Sequence, residues 1–326
     1  MNGLHPAVAC APACHPSRRR RDLCTLTLAG LAWPAAQAGA AEAKTAAVAD
    51  RWYTTSDGVR LHYLEAGAAQ PGRPVFVLIP GWSMPAWIWS AQIEHLAAEN
   101  RVIAFDPRGQ GRSAVPASGY DYRRRAADIA ELLQAADIGQ AVLVGWSLGV
   151  LECLQALSSA SRPDLRGRVQ GLVLVDNSVG EGPAPPPATA SRGGPTFFSR
   201  LRSRRRETVD AFVRAMFKRP QPAAWLAELT EAALSLPVQA SIALLSQPTP
   251  REFWRDTLYA LQMPVLYVVT PRLAHQGELA QAHRAAIETV VFEDAGHALF
   301  VDDAARFDNL LDQFILRLPA AGPVPR

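Results

Sequence analysis

The sequence predicts a doubly wound α/β fold: a mostly parallel sheet with helices on both faces and a helical lid inserted between two strands. Three observations carry this reading. Short apolar runs rich in Val, Ile and Leu recur without alternating, as strands buried on both faces do. Helical stretches separate them, so successive strands need right-handed crossovers. The alternation then stops once, between Asn177 and Met263, where no buried strand can be drawn. The chain has 326 residues, 49% hydrophobic and 19% charged. That is enough apolar material for a large core, and it excludes a disordered polymer or a collagen-like repeat.

The first forty residues read as an address rather than as structure. Arg18-Arg19-Arg20-Arg21-Asp22-Leu23 precedes an apolar stretch from Cys24 to Ala36, and small residues crowd positions 36–43. A basic region, a short apolar region and A-x-A-like sites in that order make a secretory signal peptide over residues 1–40. Arg20-Arg21 has the twin-arginine form, so a periplasmic or secreted location is expected. The apolar stretch is too short for a good membrane span. The net charge of +3 comes from this segment, and the remainder balances, leaving no field to steer a nucleic acid. Cys10, Cys14 and Cys24 also fall here, which leaves Cys153 alone and without a disulfide partner. No zinc, haem or iron–sulfur spacing is present, so no metal or organic cofactor is expected.

From residue 52 the elements follow in order. Trp52–Thr55 and Val59–Glu65 flank the turn Ser56-Asp57-Gly58 and read as a hairpin. Buried strands are expected at Val75–Ile79, Val102–Phe105, Ala141–Val144, Leu172–Val175, Val265–Val269 and Thr289–Phe292. Helices are expected at Ala86–Ala98, Tyr122–Ala136, Leu148–Ser159, His275–Ala286 and Ala304–Leu318. The core would thus comprise residues 41–180 and 263–320, and the lid residues 181–262. The lid opens on the stiff run Glu181-Gly182-Pro183-Ala184-Pro185-Pro186-Pro187 and continues as helices at Arg200–Lys218, Ala223–Ser235 and Val238–Leu245. The basic run Arg200 to Arg206 reads as a solvated helix face.

The sharpest motif is Gly145-Trp146-Ser147-Leu148-Gly149, between an expected strand and an expected helix. A nucleophile projecting from a tight strand-to-helix turn needs glycines two residues to either side, because side chains would crowd there. Ser147 would stand at a helix N-terminus, where the dipole favours developing negative charge. A serine hydroxyl needs a base. In this layout the histidine comes last in the chain, and only His297, in Asp294-Ala295-Gly296-His297-Ala298, follows residue 283. The amide of Leu148, just after the nucleophile, is an expected oxyanion donor.

Gly145–Gly149, Gly296-His297 and Asp106-Pro107-Arg108-Gly109-Gln110-Gly111-Arg112-Ser113 together resemble the α/β-hydrolase superfamily over about residues 52–318. The nearest flavour is the lid-bearing esterase and haloperoxidase group. The elbow and Pro80-Gly81-Trp82 are similar to the pimeloyl-carrier-protein methyl ester esterases. The resemblance implies that Asp106, Arg108 and Ser113 are scaffold. It also implies that the Trp82 amide is the second oxyanion donor, with Pro80 standing where the family usually has histidine. The acid departs from the usual pattern. The loop after Val269 has Leu273 near the customary carboxylate position, and Glu278 comes late. Asp176 ends the strand Leu172–Val175, and Gly171-Leu172-Val173-Leu174-Val175-Asp176 is similar to the haloalkane dehalogenases and their relatives, whose acid follows this strand. Asp176 is therefore favoured and Glu278 is the alternative; Asp294 and Asp302 read as loop and cap residues.

Trp87 and Trp146 are candidate pocket walls, over which Phe197, Phe198, Phe212, Phe217, Trp225, Phe253 and Trp254 could close. The expected protein is an exported serine esterase acting through an acyl-enzyme on a small, hydrophobic ester. A cofactor-free haloperoxidase or perhydrolase on the same residues, or a non-catalytic binding protein, are the alternatives. Dehalogenase and epoxide hydrolase chemistry are disfavoured, because those relatives have Asp where this chain has Ser147.

Overall fold

A computed structural model describes residues 47–159, 163–182 and 196–319. The expected signal segment and the proline-rich run from Pro183 lie outside these residues. Among the described residues, eight strands form one sheet: β1 Ala49–Thr54, β2 Arg60–Ala66, β3 Val75–Ile79, β4 Val102–Asp106, β5 Ala141–Trp146, β6 Val169–Val175, β7 Val265–Val269 and β8 Ile287–Val291. Their order across the sheet is β1-β2-β4-β3-β5-β6-β7-β8. β2 pairs antiparallel with β1 and β4, and every other pair is parallel. Of the strands that read as continuous apolar runs, β3, β4, β5 and β7 are buried throughout, whereas β8, at the edge of the sheet, is half-buried after Ile287.

Helices cover the sheet. They are α1 Ser90–Leu96, α2 Tyr122–Ala135, α3 Leu148–Leu157, α4 Pro163–Arg168, α5 Phe197–Ser203, α6 Arg205–Ala215, α7 Ala223–Leu234, α8 Val238–Leu245, α9 Arg251–Ala260, α10 Ala274–His283, α11 Leu299–Asp302 and α12 Ala304–Ile315. Five of them, α5 to α9, form the insertion between β6 and β7.

The departures from the sequence reading have physical causes. β1 begins at Ala49 because its backbone pairs with β2 as far as Glu65, although its outward side chains carry no apolar pattern. β8 begins at Ile287, which is in register with Val265 of β7. The expected helix from Ala86 opens instead as a 3-10 turn, Ala86–Trp89, whose first amide donates to the Asp106 carboxylate at 2.5 Å. The expected helix from Arg200 starts at Phe197 and breaks at Arg204, where φ is −142° and ψ 56°. The helix α9 was not expected; it follows Pro250 and buries Trp254, Thr257 and Leu258 on one face. Two members of the basic run are tied down: Arg205 donates to the Leu234 carbonyl at 2.8 Å, and Arg206 pairs with Glu231.

One crossing positions everything that follows. β4 lies on one side of β3 and β5 on the other, so the chain leaves the carboxyl ends of β3 and β5 in opposite directions. That divergence opens a crevice, the usual place for a ligand in such sheets.

The loop after β4 is scaffold, as its motif implied. Asp106 accepts from Ala86, from Arg112 N–H at 2.9 Å and from the buried His62 ring at 2.7 Å. Arg108, fully buried, forks onto Asp128 of α2 with two bonds of 2.6 Å. Removing one partner of a buried pair leaves an uncompensated charge. Asp128→Ala is therefore expected to cost about 3 kcal/mol or more in chemical unfolding. Glu99→Gln, which breaks an exposed pair with Arg73, should cost less than about 1 kcal/mol.

Candidate active site

The turn at Ser147 is strained and tightly held. Its backbone has φ 53° and ψ −118°, a region that residues with side chains avoid. Three hydrogen bonds fix it. Ser147 N–H donates to Val175 O at 2.9 Å, Val150 N–H donates to Ser147 O at 3.0 Å, and the Asn177 amide donates to Ser147 O at 2.7 Å. The glycines are required by contact. A Cβ at Gly145 would lie 2.5 Å from Gly149 O, and one at Gly149 would lie 2.5 Å from Ile79 O. A Cβ at Gly81 would sit 3.0 Å from Ser147 Cβ, so the turn after β3 touches the turn after β5.

His297 lies in the loop between β8 and α11, half-buried, and reaches both partners. Its Nε2 is 2.9 Å from Ser147 Oγ, and its Nδ1 is 2.7 Å from Asp176 Oδ2. Asp176 follows β6 directly, at φ 46°, with its N–H on Val268 O. Its other oxygen accepts from Thr270 N–H at 2.8 Å and Thr270 Oγ at 2.7 Å. Burial pushes this carboxyl up, but the bond from His297 and the two from Thr270 outweigh it and hold it below its usual range. An ionised carboxylate only accepts. Nδ1 therefore carries the proton, and the Nε2 lone pair faces the serine hydroxyl.

The structure thus brings Asp176, and not Glu278, to His297. Glu278 is exposed on α10, and its near partner is His275 at 3.5 Å. The Leu148 and Trp82 amides, at the two touching turns, donate no hydrogen bond among the described residues. The Trp82 side chain is buried against the insertion: its indole N–H donates to Ser241 O at 2.9 Å, and Phe212 packs edge-on at 5.0 Å. Trp87 is half-buried and meets Trp225 of α7.

Trp146 requires a correction. It is not an open pocket wall. It is buried beneath His297, donating from Nε1 to His297 O at 2.8 Å and packing on Phe300. Trp254 likewise packs on Tyr122 of α2 rather than over the crevice.

Asp302 also exceeds the part of a cap residue. Buried five positions after His297, it accepts from Gly296 N–H and Lys218 N–H, each at 2.7 Å, and from Arg219 N–H at 3.2 Å. Ala298 N–H adds a bond to Met216 O at 2.9 Å. The loop that carries His297 is therefore clasped to the insertion. In sequence Asp302 is one acid among several near His297, and nothing marked it. Among the described residues, no three His, Cys, Asp or Glu side chains are grouped to hold a metal, and no helix is long and apolar enough to cross a membrane.

A crevice at the switch point of a mostly parallel sheet, with a serine on its sharp turn, defines an α/β-hydrolase fold. The chain matches the alpha/beta hydrolase family over residues 76–310 and belongs to it. It is 40% identical to a non-heme chloroperoxidase of Streptomyces lividans, over 37% of this chain and 42% of that protein. That alignment spans less than half of the relative's length. It is 31% identical to a pimeloyl-[acyl-carrier protein] methyl ester esterase of Aliivibrio salmonicida, over 73% of this chain and 91% of the relative. In structure it is similar to an esterase from Rhodococcus sp. ECU1013, with a TM-score of 0.67 and 25% identity, covering 83% of this chain and 99% of the other.

The clasp makes a prediction. In Asp302→Ala the amides of Gly296, Lys218 and Arg219 should lose protection in hydrogen exchange, while those of β5 keep theirs. Stability should fall by about 1–3 kcal/mol, the cost of orphaned buried donors. Unchanged exchange at these three amides would mean that the clasp does not hold in solution.

Proposed function

We propose that this protein is a serine hydrolase that cleaves carboxylic esters through an acyl-enzyme, with Ser147, His297 and Asp176 as its catalytic triad. One observation carries the reading: a single imidazole ring bridges the serine hydroxyl at 2.9 Å and a buried carboxylate at 2.7 Å. Ser147 Oγ attacks the carbonyl carbon as His297 Nε2 takes its proton. Asp176 stays ionised, fixes the tautomer and stabilises the imidazolium. The Leu148 and Trp82 amides receive the oxyanion. His297 then returns the proton to the leaving alcohol, and a water activated by the same ring releases the acid.

The methyl ester esterase relative favours ester chemistry. The aromatic side chains at the crevice, Trp82 and Trp87 with Phe212 and Trp225 of the insertion, favour a hydrophobic acyl or alcohol group. The insertion, α5 to α9, would act as a lid over it. The chloroperoxidase relative supports a second reading, in which the acyl-enzyme is released by peroxide rather than water.

A fluorophosphonate probe should label Ser147. Ser147→Ala should lose both labelling and turnover of p-nitrophenyl esters, by several orders of magnitude in kcat. Asp176→Asn should lower kcat by up to ~10⁴-fold, with Glu278→Gln near wild type. Equal activity in Ser147→Ala would refute the proposal. Peroxide-dependent halogenation that outpaces ester hydrolysis would instead favour the second reading.

Export belongs to the same proposal and rests on the basic and apolar order of residues 18–43. N-terminal sequencing of the native protein should begin between about Gly39 and Ala43; an intact Met1 in the cytoplasmic fraction would exclude it.

A further inference from the structure

The loop after β4 carries a side chain that this reaction leaves unused. Gln110 is completely buried. Its Nε2 donates to two backbone carbonyls of the turn after β3, Gly81 O at 3.0 Å and Met84 O at 2.8 Å. Its Oε1 accepts from both terminal nitrogens of Arg125 on α2, at 3.0 and 3.1 Å. These partners fix which end of the amide is which, because a guanidinium only donates and a carbonyl only accepts. Arg125 is itself buried, with its Nε 2.6 Å from Glu152 Oε1 of α3, an ion pair rather than an aligned hydrogen bond. Burial pushes the Glu152 carboxyl up to about 7 against the pull of Arg125. A buried polar chain thus runs from α3 through α2 to the turn beside Ser147.

The Gly81 carbonyl and the Trp82 N–H belong to one peptide plane. In a trans peptide they point in opposite directions, so a group that fixes one end fixes the aim of the other. The turn needs such a brace. Met84 N–H closes it on Gly81 O at 3.2 Å, and Ser83, its third residue, sits at φ 60°. That conformation is strained for a residue with a side chain and persists only where the surroundings impose it. Gln110 grips the carbonyls at both ends of this turn. The chain also polarises in one direction. The Arg125 charge draws on the Gln110 carbonyl, the Gln110 amide draws on the Gly81 carbonyl, and the Trp82 N–H at the far end becomes a stronger donor.

We infer that Gln110, anchored by Arg125, is the positioning residue of the oxyanion site, aiming the Trp82 N–H at the oxygen that gains charge in the reaction. This rests on the ester hydrolase reading above and specifies how one of its oxyanion donors is held. Gln110 hydrogen-bonds Gly81, Met84 and Arg125 and neither Ser147 nor His297, so its loss should weaken transition-state binding while leaving the base and the ground state alone.

The test is Gln110→Met, assayed with p-nitrophenyl butyrate beside wild type and Ser147→Ala. Loss of an oxyanion donor costs about 10²–10³ in kcat. A donor that is misaimed rather than removed should cost about tenfold to a hundredfold, with KM within about threefold. The pH inflection of kcat/KM should stay at its wild-type position, because the His297–Asp176 pair is untouched. Affinity for a trifluoromethyl ketone, whose adduct places an oxyanion in the site, should fall by the same factor as kcat/KM. If Gln110→Met does not fold, Gln110→Asn takes its place, because its shorter amide cannot span Arg125 and both carbonyls. Wild-type kcat, unchanged ketone affinity, or KM and the pH inflection moving together with kcat would overturn the inference. If Ser147→Ala is inactive while Gln110→Met hydrolyses at the wild-type rate, the inference alone falls. If wild type does not hydrolyse the ester, or Ser147→Ala does, the ester hydrolase reading falls and takes the inference with it.

Discussion

The site depends on a steric constraint: three pieces of backbone pass one another at contact distance where no Cβ intervenes. Gly149 lies on the carbonyl of Ile79, Gly145 on the carbonyl of Gly149, and Gly81 on Ser147. These contacts bring the end of β3, the end of β5 and the start of α3 into one place. The strained backbone at Ser147 is tolerable there because three hydrogen bonds hold it. A wider approach would separate the Trp82 amide, the Leu148 amide and the Ser147 hydroxyl, and the crevice would lose its shared focus.

Around that focus the polar groups are layered by burial. Asp176 is nearly inaccessible, so leaving any of its lone pairs bare would be costly. It has partners on both oxygens, and they keep it ionised. His297 is only half-buried, so part of its ring stays accessible. An exposed Glu278 would have been a poorer partner even within reach, because solvent screens its charge and nothing fixes its direction.

Much of this was legible in the sequence, and what was not has a common cause. Ser147 could be read because two glycines at fixed offsets have a backbone reason to be there. His297 could be read because the chain offers no other histidine after the last strands. Asp176 could be read from its place at a strand end. Gln110 and Asp302 could not, because each acts through backbone groups far away in sequence, at Gly81 and Met84 and at Lys218 and Arg219. A side chain that binds backbone leaves no matching residue type to search for. Trp146 was misread for a related reason: its partner is the His297 carbonyl. The helix α9 leaves little trace in the sequence because half of Arg251–Ala260 is polar and its buried face, Trp254, Thr257 and Leu258, is narrow.

The Asp302 clasp has a consequence for how this scaffold could be recombined. The insertion between β6 and β7 looks like a separable module, ready to be exchanged for one from another hydrolase. Its loop at Met216–Arg219, however, is bonded into the segment that carries His297. A donor insertion lacking backbone amides at the same place would strand a buried carboxylate five residues from His297. The natural cassette is therefore discontinuous. It joins the helices α5 to α9 with residues 296–302, and a chimera cut to those borders would carry its own placement of the histidine along with its new helices.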